Sequence, residues 1–321
     1  MSDSDAFQVA SAIVYRSSRR PDGLSSDFDE KLGTSLVFYT LRALDGGEIA
    51  AALWQPLDKP VSETILIIMI HGSGGSFRRP PESALGGALA ELGYASLAID
   101  TRQHDGNINT DNFFDTVRDI QAAVYTARAL GYRSIVLQGH SLGNIQVQYY
   151  AASNWDSDIK GVILLAAFGN LPWKTRTILV QDETRFRALI DAAIAAKRDG
   201  DISTPLPVAM RYFSGQDSSV TARHFLTYRW DKSSVADGTY WIKRVPYPIL
   251  LVRDSADALI LPFEPQMLLD AANAEGSLVA SIELATLPNK SKTSLEAHYF
   301  AHTIPALANT IANWIAGALA T

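Results

Sequence analysis

One serine in this sequence has surroundings that are typical of a nucleophile. Ser141 lies in the pattern Gly-x-Ser-x-Gly at residues 139–143, after the aliphatic run 134–138 and before a predicted helix at 144–150. A strand, a tight turn and a helix in this order hold the serine side chain at the carboxyl end of a sheet. The two glycines keep side chains out of the crowded turn. The pattern therefore predicts that Ser141 attacks an electrophilic carbon; the alternative is a structural turn that contains a serine by chance.

Two further side chains could complete this chemistry. A serine hydroxyl becomes nucleophilic only when a base removes its proton and a third group orients the base. Asp257 follows the aliphatic run 248–252, and His298 follows the last predicted strand. The chain order Ser141, Asp257, His298 is the order that accompanies a serine turn of this kind. We therefore expect a nucleophile, an acid and a base in these three positions.

The surrounding elements must bring these residues to one edge of a sheet. Apolar runs predict strands at 64–70, 94–99, 134–138, 161–165, 248–252 and 277–285, and helical spacing predicts helices at 82–92, 110–130, 144–150, 264–274 and 302–318. Alternation of this kind predicts an α/β fold with a mostly parallel central sheet and helices on both faces. Two runs at 34–44 and 48–54, joined by Asp-Gly-Gly, predict an antiparallel hairpin that enters the sheet.

The alternation stops between residues 170 and 244. This stretch contains an amphipathic helix at 182–198 and an aromatic-rich part at 212–241, and it is too long for a simple connection. We expect a helical lid inserted between two sheet strands, over Ser141, with aromatic side chains that suit an aryl or alkyl group. An insertion that packs elsewhere on the sheet is the alternative. The predicted organisation is an N-terminal arm at 1–33, a core at 34–169 and 245–321, and the lid at 170–244.

Composition excludes several functions. The 321 residues include no cysteine, so disulfides, thiolate metal sites and cysteine nucleophiles are ruled out. The net charge is −6 and no basic stripe is present, which argues against nucleic acid as a partner. The first twenty residues lack a secretory pattern, and the longest apolar run is far short of a membrane span. These features predict a cytoplasmic protein without a membrane span.

The motifs together resemble those of a known superfamily. His-Gly-Ser-Gly-Gly at 71–75, Gly-His-Ser-Leu-Gly at 139–143, the loop with Asp257, and Ala-His-Tyr-Phe at 297–300 are similar to the α/β-hydrolase superfamily, of the serine esterase and lipase-like kind with a lid insertion. The likeness covers about residues 34–319. It implies an oxyanion hole formed by the backbone amides of Ser73 and Leu142. It implies no cofactor, and no metal site is expected either.

The resemblance also favours one residue in each of two pairs of candidates, for the acid and for the base. In this family the acid usually lies in a loop written Gly-x-x-Asp, and Asp254 stands in the place of that glycine, so Asp257 is favoured as the acid. His298 lies before the final predicted helix and is followed by two aromatic residues, as in many relatives. His302 lies four residues later, inside or at the start of that helix. We therefore expect His298 to be the base.

The predicted function is hydrolysis of a small or medium carboxylic ester, with an apolar or aromatic substrate and an acyl-enzyme on Ser141. The same residues also serve thioesterases, lactonases, amidases, carbon–carbon bond hydrolases and cofactor-free perhydrolases, which remain alternatives. A weakly catalytic ligand receptor on the same fold is an alternative from another class. The partner is expected to be a small molecule, and the sequence leaves a homodimer open.

Overall fold

The computed structural model describes residues 13–17, 19, 21, 23–29, 31–212, 215–288 and 292–319. Its strands are β1 (Ile13–Ser17), β2 (Thr34–Arg42), β3 (Glu48–Pro56), β4 (Leu66–Ile70), β5 (Ala95–Ile99), β6 (Ile135–His140), β7 (Ile159–Leu165), β8 (Met210–Arg211), β9 (Asp217–Ser218), β10 (Ile249–Asp254) and β11 (Ile282–Leu287). Its α-helices are α1 (Glu82–Glu91), α2 (Phe113–Ala129), α3 (Gly143–Ser153), α4 (Leu171–Lys174), α5 (Glu183–Asp199), α6 (Ala222–His224), α7 (Gly238–Trp241), α8 (Phe263–Ala272), α9 (Ser294–His298) and α10 (Ile304–Ala318).

A single large sheet organises the described part of the chain. Its strand order is β1-β2-β3-β5-β4-β6-β7-β10-β11. Strands β5, β4, β6, β7, β10 and β11 run parallel, whereas β1, β2 and β3 form antiparallel pairs at one side. Every residue of β4 is buried, as expected for a parallel strand covered on both faces. The predicted α/β architecture and the antiparallel entry hairpin are therefore confirmed.

Apolar clusters lie on both faces of the sheet. On one face, Trp54 belongs to an apolar cluster that includes Leu85 and Leu89 of α1 and Leu307 and Ile311 of α10. On the other face, side chains of α2, α3 and α8 cover the strands, among them Ile120, Val124, Val147, Tyr150 and Leu268. This burial on both faces fixes the sheet, and the site lies at the carboxyl ends of its parallel strands.

Three local features differ from the sequence-based expectation. Residues 13–17, predicted as part of a loose arm, form the edge strand β1 against β2; residues 1–12 of that arm lie outside the described residues. Strand β11 begins at Ile282 rather than at residue 277, because Leu278 donates its amide to the carbonyl of Lys243 instead of joining the ladder with β10. A short helix, α9, replaces the predicted loop around His298, and a capping box between Thr293 and Glu296 begins it.

Residues 170–244 have an apolar cluster of their own. Phe186, Leu189 and Ala193 of α5 pack against Met210 and Phe225, which lie on β8 and at the start of a π-helical turn, Phe225–Arg229. A second π-helical turn, Thr175–Val180, follows α4. The short strands β8 and β9 pair antiparallel, so the described part of this segment contains a hairpin as well as helices.

Within the described residues, no helix combines the length and the apolar composition that crossing a membrane requires.

Candidate active site

The Ser141 turn joins β6 to α3 with a strained backbone. Ser141 has a φ of 49°, a left-handed value that is rare for residues other than glycine. Its amide donates to the carbonyl oxygen of Leu165 at 3.0 Å, which ties the turn to β7. A Cβ atom on Gly139 would lie 2.5 Å from the Gly143 oxygen, and one on Gly143 would lie 2.4 Å from the Ile70 oxygen. Glycine is therefore required on both sides of the serine by close backbone contacts.

The structure places Asp257 and His298 in direct contact. The Nδ1 atom of His298 lies 2.8 Å from Oδ2 of Asp257. The other carboxylate oxygen of Asp257 accepts the backbone amides of Leu259 at 2.8 Å and Ile260 at 3.2 Å, so the carboxylate is held by its own loop. When Nδ1–H donates to the carboxylate, Nε2 of His298 is the atom able to accept a proton. This arrangement supplies an oriented base.

The competing pair of residues lies elsewhere. Asp254 is buried and accepts the amide of Ala256 at 2.9 Å, with Thr303 Oγ1 at 3.4 Å from its second oxygen. Its carboxylate thus shapes the turn that leads to Asp257. The imidazole of His302 is half-exposed, with Nε2 3.8 Å from the carboxylate of Glu296. The geometry brings Asp257, and not Asp254, to His298.

Ser141 and His298 line one pocket of about 120 Å³. The other residues that line it come from five parts of the chain: Gly72, Ser73 and Gly75, then His140, then Tyr212, then Leu259, and finally Leu295 and Tyr299. A Cβ on Gly72 would lie 2.9 Å from Cβ of Ser141, so the loop after β4 runs directly along the serine. Leu142, the residue after Ser141, is buried at the start of α3. Ser73 therefore lies in the loop next to the serine, and Leu142 follows Ser141 directly in the turn.

A larger cleft of about 330 Å³ lies at the β1 side of the sheet. Its described lining residues include Tyr39, Arg78 and Ser17, but no histidine or carboxylate. A serine hydroxyl there would have no adjacent base, so the smaller pocket is the better candidate for catalysis.

Two other histidines brace the pocket walls. Nδ1–H of His71 donates to the carbonyl of Gly72 at 2.6 Å, and its Nε2 accepts the amide of Thr101 at 3.0 Å. Nε2–H of His140 donates to the carbonyl of His298 at 2.8 Å. Burial lowers the pKa of both imidazoles, most strongly that of His140, so both are neutral near pH 7. Their hydrogen bonds fix the backbone on both sides of Ser141.

A buried ion pair supports the loop that carries Asp257. Lys174, on α4, and Glu264, on α8, both have fully buried side chains and form an ion pair. Nζ of Lys174 also donates to the carbonyl of Leu259 at 2.7 Å, and the carboxylate of Glu264 accepts the amide of Leu261 at 2.8 Å. Burial lowers the pKa of Lys174, and Glu264 partly offsets this effect. The pair thus connects residues 170–244 to the backbone next to Asp257.

Sequence reasoning did not place four of the pocket residues. Tyr212 was predicted only as part of the aromatic-rich stretch 212–241 and His140 only as part of the motif at 139–143, whereas Leu259 and Leu295 belonged to neither. Tyr212 directly follows β8, in the connection to β9, and its amide donates to the carbonyl of Gln216 at 2.8 Å. Because it reaches the pocket from about 70 positions beyond Ser141, no local pattern could have indicated it.

Comparison with known proteins agrees with this architecture. Residues 65–197 match the family model described as the alpha/beta hydrolase fold. The structure is similar to Est1E from Butyrivibrio proteoclasticus with bound ferulic acid, at 21% identity and a TM-score of 0.63, over 86% of this chain and 98% of Est1E. A hypothetical protein from Pseudomonas aeruginosa has 16% identity and a TM-score of 0.65, over 94% and 99% of the two chains.

A thermostable carboxyl esterase from Bacillus coagulans is also similar, at 15% identity and a TM-score of 0.58, over 90% of this chain and 100% of the esterase. No curated protein matches the sequence. At these identities the structural likenesses establish the fold, and they agree with the motif-based resemblance to alpha/beta hydrolases.

Proposed function

We propose that this protein, which has the alpha/beta hydrolase fold, is a serine hydrolase that cleaves carboxylic esters through an acyl-enzyme on Ser141. The observation that carries the proposal is the shared pocket of Ser141 and His298, with His298 held by Asp257 at 2.8 Å. The strained φ of Ser141 supports it, because strain of this kind is concentrated at functional turns.

In the proposed reaction, His298 Nε2 takes the proton of Ser141 as the serine oxygen bonds to the ester carbonyl carbon. The tetrahedral intermediate then collapses: the carbon–oxygen bond to the alcohol breaks, and His298 gives the proton to the leaving oxygen. Water enters, His298 takes one of its protons, and the resulting hydroxide attacks the acyl-enzyme. The bond to Ser141 breaks, the proton returns to the serine oxygen, and the carboxylic acid leaves. Asp257 stabilises the imidazolium that forms in each half-reaction.

The negative charge on the carbonyl oxygen needs hydrogen-bond donors. We assign this role to the backbone amides of Ser73, in the loop after β4, and of Leu142, which follows Ser141 at the start of α3. Preorganised donors of this kind act where the charge develops and need no reorganisation during the reaction. The absence of a side chain on Gly72 supports this assignment, because it lets the loop that carries Ser73 approach Ser141.

The pocket walls suggest an apolar acyl or alcohol group of small or medium size. Leu259, Leu295, Tyr212 and Tyr299 form much of the lining of this pocket, whose volume is about 120 Å³. In this proposal residues 170–244 act as a cap, because Tyr212 from this segment lines the pocket. Because Est1E was solved with ferulic acid, an aryl ester belongs in the substrate panel.

The test is hydrolysis of p-nitrophenyl esters from acetate to palmitate, with methyl ferulate added, by the wild type and by Ser141→Ala. We expect the variant to lose turnover by a factor of roughly 10³ or more, with an unchanged circular dichroism spectrum. Ser157→Ala, at an exposed turn, is the control and should retain full activity. Activity that survives in Ser141→Ala would refute the mechanism.

Labelling with a fluorophosphonate separates the ester proposal from its alternatives. Covalent labelling of Ser141 without hydrolysis of any ester would keep the nucleophile and reject the substrate class, and thioesters, lactones and amides would then be assayed. Absence of both labelling and hydrolysis would reject the enzyme proposal as a whole.

A further inference from the structure

The backbone of His298 is fixed by a hydrogen bond that its role as a base does not explain. His298 is the last residue of α9, and the carbonyls at the end of a helix have no partner within that helix. The carbonyl of Ala297, one position earlier, accepts the amide of Phe300. The carbonyl of His298 instead accepts Nε2–H of His140 at 2.8 Å. A side chain from another element therefore completes this end of α9.

The imidazole of His140 is enclosed by its neighbours. It is 1% exposed, and its ring centroid lies 5.0 Å from that of His298 and 5.5 Å from that of Tyr299. A Cβ on Gly72 would lie 3.3 Å from Nδ1 of His140, so the loop after β4 covers this edge of the ring. Because a carbonyl can only accept, Nε2 carries the proton in the contact with His298. The enclosed ring therefore holds its donor in a fixed direction.

His140 is also the residue that precedes the nucleophile. It ends β6, a strand that pairs with β4 on one side and with β7 on the other, where Leu165 is its partner in the register. The amide of Ser141 donates to the carbonyl of the same Leu165 at 3.0 Å. Two consecutive residues at the end of β6 thus carry the nucleophile and, through the side chain of His140, hold the base.

We propose that His140 is a positioning residue, which sets the place of His298 relative to Ser141. This inference rests on the proposed function. Asp257 bonds Nδ1 of His298 and fixes how the imidazole is turned, whereas His140 fixes the backbone from which that imidazole projects. Without the contact to His140, the base would be free to shift while it stays paired with Asp257. A displacement of about 1 Å at a reacting group costs on the order of 10²-fold in rate.

An uncharged donor suits this position. Burial lowers the pKa of His140 well below its ordinary value, and the neighbouring His298 lowers it further. A cation beside His298 would oppose the positive charge that His298 acquires when it takes the proton of Ser141. A neutral imidazole holds the base in place without that opposition.

The test separates the donor of His140 from its ring. His140→Gln keeps an N–H group near the position of Nε2 and loses the ring, whereas His140→Phe keeps the ring and loses the donor. For His140→Phe we expect kcat to fall roughly 10- to 100-fold with little change in KM, because the base is displaced while the ring still lines the pocket. His140→Gln should stay within about threefold of the wild type. Each kcat is expressed per site titrated with a fluorophosphonate, so unfolded protein does not enter the rate.

Val136→Ala is the matched control for stability. Val136 is fully buried on β6 and lies on the same face of the strand as His140, since side chains four positions apart on a strand share a face. We expect both Val136→Ala and His140→Phe to lower the melting temperature, and only His140→Phe to lower kcat. Equal losses of kcat in these two variants would make the role of His140 structural and would overturn the inference.

A double-mutant cycle tests whether His140 acts through His298. In the His298→Ala background, the residual labelling of Ser141 by the fluorophosphonate is followed over long incubations. His140→Phe should slow labelling in the presence of His298 and should have little further effect in its absence. A loss by the same factor in both backgrounds would mean that His140 acts on Ser141 or on the substrate directly, and it would refute the inference.

The outcomes separate this inference from the proposed function. If Ser141→Ala abolishes turnover and His140→Phe keeps kcat within about twofold of the wild type, the inference is wrong and the proposed function stands. A loss in His140→Gln as large as that in His140→Phe would assign the effect to the ring rather than to the donor, and would also overturn the inference. If Ser141→Ala retains activity, the proposed function itself fails.

Discussion

Glu82 should make the stability of this protein fall with rising pH. Its side chain, at the start of α1, is 1% exposed, and Oε1 has no hydrogen-bond partner among the described residues. Burial raises its pKa from 4.5 to about 8, and the nearby charge of Asp100 adds to the rise. The folded protein therefore carries Glu82 in its protonated form at neutral pH, whereas the unfolded chain carries it as a carboxylate.

The sign follows from proton binding. Between pH 4.5 and about 8, the folded state binds the Glu82 proton and the unfolded state does not. The contribution of Glu82 to stability is therefore full below pH 4.5 and is lost as pH rises toward 8. The slope is about 1.4 kcal/mol per pH unit. The free energy of unfolding should therefore fall by roughly 3 kcal/mol between pH 5.5 and 8.5 through this group alone. The decrease levels off near pH 8, where Glu82 ionises in the folded protein as well.

Glu82→Gln isolates that contribution, because an amide of nearly the same shape does not ionise. We would measure the free energy of unfolding by guanidinium chloride denaturation at pH 5.5, 7.0 and 8.5 for wild type and variant. The difference should shift in favour of Glu82→Gln by about 3 kcal/mol across this range. Glu91→Gln, at the exposed end of the same helix, is the control and should show no such shift. A wild type and a Glu82→Gln variant that differ by a constant amount at all three pH values would refute the reasoning.

Two further predictions concern the base and the buried ion pair. His298→Ala should abolish ester turnover. His302→Ala should leave kcat near the wild-type value, because the imidazole of His302 faces Glu296 and solvent. Equal losses of kcat in both variants would contradict the assignment of His298 as the base. Lys174→Met should lower the free energy of unfolding by about 3 to 5 kcal/mol, since it leaves the carboxylate of Glu264 buried and without its cation. Adding Glu264→Gln, which removes that charge and can still accept the amide of Leu261, should restore most of the loss in denaturant unfolding; a double variant as unstable as Lys174→Met would contradict the charge argument.

The central fold was predictable because its signals are local. Buried parallel strands such as β4 and β6 are apolar along their whole length, and Gly139 and Gly143 mark the turn between β6 and α3 by a steric requirement that the sequence itself carries. The chain order of Ser141, Asp257 and His298 then indicated the site residues. Their roles stay predictions until the variants are assayed.

The errors of prediction arose at two short segments: α9, whose start is marked only by a local capping box, and residues 277–281, whose backbone has a long-range partner. The five residues of α9 are too few to show helical periodicity, and the helix is begun by the capping box of Thr293 and Glu296. Residues 277–281 have the composition of a strand, but the carbonyl of Lys243 takes the amide of Leu278. Propensity alone cannot foresee such long-range partners.

The segment 170–244 was the least predictable part for the same reason, and its contacts bear on how substrate enters. Lys174 donates a hydrogen bond to the carbonyl of Leu259 and forms an ion pair with Glu264, and His224 is hydrogen-bonded to Asp111. These three partners lie outside the segment, in residues 34–169 and 245–321. These contacts are buried, so lifting the whole segment would leave several polar groups without partners, at about 1 to 3 kcal/mol each and more for the charged ones. Leu295, at the pocket, is by contrast 56% exposed. We therefore expect residues 170–244 to stay in place during turnover and substrate to enter past Leu295.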